Sequence, residues 1–181
     1  MKLNLENIVN TVKTMMEYLF PLKKITNKFK SIHSKEELKN FVQERSAHVT
    51  QTTLYGYLKT RIGTRYPIMI EDEKFADSIN IAKWNIYVAA ISDLTFYVFS
   101  YLIDKKNLKK NDAEEIFLNI INEESKNGLS KNISENAKNE FILKAKNINW
   151  HQYYQSNPFK ESGLALYKWS PIADELKILD K

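Results

Sequence analysis

Residues 79–103 read INIAKWNIYVAAISDLTFYVFSYLI. Apolar side chains fall on nearly every face of this run when it is wound as a helix, and its length would cross a bilayer. Asp93 stands near its centre, however, where an acid costs about 2.5–3.5 kcal/mol on insertion scales. Asn80, Lys83, Asn85 and Ser92 interrupt it further. The reading that fits both facts is the central helix of a bundle, apolar almost all round because protein covers it.

Residues 46–70, SAHVTQTTLYGYLKTRIGTRYPIMI, answer that run from the N-terminal side. Ser34 followed by Glu37 is a capping-box pattern that starts a helix. Leu38, Phe41, Val42, Val49, Leu54, Tyr57, Leu58 and Ile62 carry the helix to Gly63, a residue suited to the left-handed ending. No charge occurs between Arg45 and Lys59, and His48, Gln51, Thr52, Tyr55 and Lys59 share one side of the wheel. This pattern predicts a helix covered on most faces, with its polar row buried in hydrogen bonds or lining a cleft. Residues 64–70 are expected to form a loop, because Pro67 cannot be ordinary helix interior. Asp72 or Asp77 then caps the next helix, with Glu71, Asp72 and Glu73 near its positive end.

Beyond this pair, Leu5, Ile8, Val9, Val12, Met15, Met16 and Leu19 predict an amphipathic helix over 3–20, stopped by Pro21 and followed by Lys23, Lys24, Lys28 and Lys30. Asn111 with Glu114 predicts a shorter helix ending near Gly128, and Ser134 opens another towards Trp150. Residues 150–158 are expected to be irregular, with a helical piece around 164–169. Ser170 and Pro171 suit the start of a last helix carrying Ile172, Leu176 and Leu179. The expected fold is all-α, a single-domain bundle of five to seven helices in which 34–62 and 78–103 form the central antiparallel pair.

Composition narrows the chemistry. The 181 residues are 43% hydrophobic and 12% aromatic, enough for a core, and a total of four glycines and four prolines favours long helices over a sandwich or barrel. With no cysteine there is no disulfide framework, thiolate metal site or cysteine nucleophile. The N-terminus lacks the continuous apolar region of a secretory signal, which makes the cytoplasm the default expectation. The net charge of +5 comes from lysines that accompany abundant asparagine and isoleucine, the signature of an AT-rich genome, so nucleic acid is not the expected partner.

No Gly-x-Ser-x-Gly turn and no nucleotide-binding glycine loop occurs, and the three histidines, His33, His48 and His151, are scattered. Glu44 and His48 have metal-ligand spacing, but a pair on adjacent turns of a helix surface explains them equally. No cofactor is expected. Asp93, if buried, needs a partner, and Arg61 and Arg65 are the candidates. The candidate cluster, functional or simply the polar heart of the fold, is therefore His48, Gln51, Tyr55, Lys59, Arg61, Arg65 and Asp93.

Residues 41–45, 51–61 (QTTLYGYLKTR), 63–65, Phe75, 78–83, Asp93–Leu94 and 171–177 (PIADELK) resemble a family of small alphaproteobacterial helical proteins of unknown function, often labelled "esterase". The resemblance implies a helical fold and brings no catalytic residue with it. Relatives extend past the final DELK helix, so it also implies a truncated last helix. The functional expectation is a non-enzymatic binding or assembly module, with a protein partner or a second copy bound through residues 63–70 and the polar row. A small hydrolase, as the family's label has it, is the alternative. A peripheral membrane protein held by the first helix and its lysines is the third reading.

Overall fold

The computed structural model describes residues 31–106 and 108–173. The readings of the 3–20 helix, of the lysines at 23–30 and of the last helix beyond Ala173 fall outside them. Among the described residues the protein is all-α, a packed bundle. We label its helices α1 (Lys35–Ile62), α2 (Tyr66–Ile70), α3 (Glu73–Lys106), α4 (Lys110–Lys126), α5 (Lys131–Asn147) and α6 (Lys160–Trp169). Short 3-10 turns at Gly63–Arg65 and Tyr153–Gln155 complete the order.

The 34-residue α3 is the axis of the bundle, packing against every other helix. The antiparallel course of α1 follows from two core clusters. Leu38 and Val42 of α1 share one with Phe99 and Ile103 of α3, whereas Leu54 and Leu58 share the other with Ile79, Ala82 and Ile86. Helix α1 begins directly after Ser34 and ends at Ile62, where Gly63 takes φ +63°, a left-handed conformation that glycine adopts without steric cost. Asp72 caps α3 by accepting the Phe75 amide at 2.8 Å.

The larger cluster is built on a column of rings. Phe141 stacks on Phe117 with centroids 3.9 Å apart and on Phe96 at 4.3 Å, and Trp150 leans on Phe96 at 5.4 Å. The Trp150 indole donates to the Ala145 carbonyl, and buried Ser100 donates to the Trp150 carbonyl while accepting the Tyr154 amide. The irregular segment after α5 is thereby tied to α3.

Four expectations are corrected. Residues 64–70 are not a loop: Pro67 sits in the first turn of α2, where its missing N–H and fixed φ cost nothing. Helix α4 starts one residue before Asn111, with the Asp112 carboxylate accepting the Lys109 amide at 3.4 Å. Ser130, not Ser134, caps α5, accepting the Ile133 amide; Ser134 is buried one turn in. Ser170 closes α6, donating to the Leu166 carbonyl at 2.6 Å.

The fifth correction concerns α1. Its deepest stripe runs at strict four-residue spacing through Leu38, Val42, Ser46, Thr50, Leu54 and Leu58, the inclined i±4 ridge that interdigitates in common helix crossings. The middle two positions are hydroxyls, and Ser46 Oγ and Thr50 Oγ1 are buried without a hydrogen-bond partner among the described residues. His48, Gln51, Thr52, Tyr55 and Lys59 face outward and are exposed. A buried hydroxyl without a partner costs about 1–3 kcal/mol. Thr50→Val, which keeps the β-branched shape, is therefore expected to stabilise the protein by roughly 1 kcal/mol. Urea unfolding of the variant checks this, and a lower midpoint would mean that the hydroxyl has an acceptor after all.

Candidate functional site

Three helices that meet around Asp93 leave a groove between them. One stripe of α3 (Ile81, Asn85, Ala89, Ser92) forms one side, Asn132, Asn136, Glu140 and Lys144 of α5 form a second, and Glu161, Leu164, Lys168 and Trp169 of α6 form the third. Its volume is about 1000 Å³. Ile81 and Leu164 are half exposed at its rim. Small side chains, Ala89, Ser92, Ala137 and Ala165, bring the backbones of all three helices close to whatever occupies it.

The site is held together from behind Lys144. Asp93 is completely buried. One carboxylate oxygen accepts Lys144 Nζ at 3.2 Å, and the other accepts the Ser162 backbone N–H at 2.8 Å. Ser162 lies in the first turn of α6, whose amides have no intrahelical acceptor, and Phe159 offers no side-chain cap. A carboxylate from α3 thus caps α6 from outside it, and the same carboxylate fixes α5. The Lys144 ammonium also sits 5.0 Å from the Phe96 ring centroid and 5.3 Å from that of Tyr153. Burial pulls its pKa down, but the Tyr153 hydroxyl and the Asp93 charge outweigh burial and hold it above the ordinary lysine value. The raised value favours the protonated form, whose charge pairs with Asp93.

The predicted cluster is divided by the fold. Asp93 is buried behind the groove, where it holds the wall residue Lys144. His48, Gln51, Tyr55 and Lys59 lie on the outer side of α1, Arg65 is exposed in the 3-10 turn, and half-buried Arg61 rests over the Tyr57 ring at 5.4 Å. Neither arginine pairs with Asp93. The end of α1 lies beside Ile79, and roughly 20 Å of helix separates Ile79 from Asp93 at 1.5 Å per residue. Lys144 is the partner that sequence reading missed, although a signal existed: Ala137, Phe141, Lys144 and Ile148 share one helical stripe, and a lysine inside an apolar stripe asks for a buried acid.

Glu44 and His48 are both exposed, and no group of three His, Asp or Glu residues that could hold a metal occurs among the described residues. His151 Nδ1 lies 3.6 Å from Asp104 Oδ1. No histidine is among the residues lining the groove. No protein-family model matches this chain, and neither does any curated protein or solved structure.

Proposed function

We propose that this protein is a non-enzymatic binding module that takes an amphipathic helix of a protein partner in the groove between α3, α5 and α6. The observation that carries the reading is the shape of the lining. From Asn132 to Lys144 the α5 wall covers three turns, about 18 Å at 1.5 Å per residue. Spread over that length, about 1000 Å³ gives a cross-section of roughly half to 70% that of a helix of 10–12 Å diameter. A helix would therefore bury one face and leave the other in water, which is the helix-in-groove mode of recognition. The lining suits that mode, with small residues at the base, apolar side chains at the rim, and amides and charges between them. The Asp93–Lys144 pair serves this reading as scaffold, since both of its groups are committed to holding the walls.

Filling the groove tests it. Asn136 is exposed and Ala89 half-buried, so Asn136→Trp and Ala89→Trp block the groove from two walls. Both are expected to weaken capture of a protein partner from cell extract, and of its purified binding segment, at least tenfold. Tyr55→Ala, on the outer row of α1, should leave capture unchanged. Capture that survives both tryptophans and fails on Tyr55→Ala would move the site to α1 and overturn the reading. So would turnover of short acyl esters that is lost, without unfolding, on His48→Ala or His151→Ala.

A further inference from the structure

We infer that the protein associates with a second copy of itself through the corner where α1 hands over to α3. The inference does not depend on the groove. Helix α2 divides its apolar residues: Tyr66 packs on the core and Met69 is half-buried, while Ile68 and Ile70 face outward. Ile68 is 72% exposed, more than any other large apolar side chain described, and Ile70 is exposed beside it.

The charges around this tip are segregated. Lys59 and Arg65 are exposed on the α1 side, with Arg61 half-buried next to them; Glu71, Asp72, Glu73 and Asp77 are exposed on the α3 side, where exposed Lys74 is the one basic exception. Two of the chain's three arginines stand here, in a chain that otherwise uses lysine. None of these eight groups forms an ion pair with a described residue, although Arg65 and Glu71 are only six positions apart. Elsewhere on the bundle opposite charges do meet, as in Lys35–Asp112 at 2.7 Å and Lys39–Glu123 at 2.7 Å.

A partner of one charge sign, such as an anionic membrane or an acidic peptide, would be attracted by one half of this patch and repelled by the other. A second copy satisfies both halves. Across a two-fold axis the same surface meets itself, so that residue i faces j and j faces i. With Ile68 near the axis, the basic side of each copy faces the acidic side of its mate, and every ion pair forms twice. Arginine suits that role through its planar fork for carboxylates. The 55–77 segment approaches the roughly 20–30 residues a side of a standard interface. Part of it faces the core, so the pair sits at the weak, concentration-dependent end of that range.

Sedimentation equilibrium of the full chain, from low to high micromolar, tests the inference. The mass is expected to rise from the 21.3 kDa of one chain towards twice that value. Ile68→Asp, at an exposed position, should hold the protein monomeric across the range. Arg65→Glu should weaken association at least tenfold, and adding Glu71→Arg and Glu73→Arg should restore most of it. A monomer mass at every concentration overturns the inference. So does a dimer indifferent to both Ile68→Asp and Arg65→Glu, or binding to anionic vesicles lost on Ile68→Asp without any dimer.

Discussion

Lys144→Met is expected to cost about 3–5 kcal/mol of folding free energy, the cost of breaking a buried ion pair from one side. The cost is asymmetric because the burial is. The Lys144 side chain is 26% exposed and Asp93 is fully enclosed. Removing the lysine strands a carboxylate that cannot reach water, while Asp93→Ala strands an ammonium that can partly turn outward, so Asp93→Ala should cost less. Asp93→Asn should be milder still, since an amide oxygen can go on accepting the Ser162 N–H. Combining Lys144→Met with Asp93→Leu should cost less than the sum of the singles, because an apolar pair of similar volume restores packing and leaves mainly the Ser162 amide unsatisfied.

The pH dependence has a definite sign. The folded-state pKa of Lys144 lies above its ordinary 10.5. Its contribution is therefore complete below pH 10.5 and is lost as pH climbs through the folded value. Urea unfolding at neutral pH and above pH 10 reads both effects. A Lys144→Met protein as stable as the parent, with an unchanged alkaline profile, would remove the pair from the list of things that hold this bundle together.

Phe141→Ala is the second large effect. The ring is 1% exposed and stacked on both faces, against Phe117 and Phe96. Truncating a buried phenylalanine costs about 3–5 kcal/mol through lost burial and the cavity left behind. Each aromatic contact adds about 0.5–1.5 kcal/mol beyond area, which places this site at the upper end. Phe141→Leu keeps most of the volume and should recover much of the loss. Denaturant midpoints decide the matter; a Phe141→Leu midpoint equal to the parent's would show that the column of rings contributes bulk and nothing more.

The elements were legible wherever one local signal dominated. The density of apolar residues marked α3, and Gly63 marked the end of α1. That Asp93 breaks the pattern of α3 was visible too, and its complete burial follows from being surrounded by covering helices. What misled was α1. Two sets of polar residues there obey helical spacing, one containing His48, Gln51, Tyr55 and Lys59, the other Ser46 and Thr50. Sequence alone weights the first, with its larger and more reactive groups, but which set faces inward is decided by α3, through the ridge that Leu38, Val42, Leu54 and Leu58 pack against it. The Arg61 and Arg65 pairing failed for a similar reason. Adjacency along an antiparallel pair is fixed by register, and register places the end of α1 against the beginning of α3.

The order in which the Asp93 contacts appear along the chain has a consequence for how the molecule is made. Lys144 lies 51 residues, and the Ser162 amide 69 residues, downstream of the carboxylate they satisfy. An emerging polypeptide that has completed α1 and α3 still carries a bare acid in the middle of its most water-averse helix. In that hairpin the carboxylate still faces water on the side that α5 and α6 will cover, and it gives that water up only as Lys144 and the Ser162 amide replace it. The final third of the chain thus both takes the acid out of water and brings the two partners it then needs.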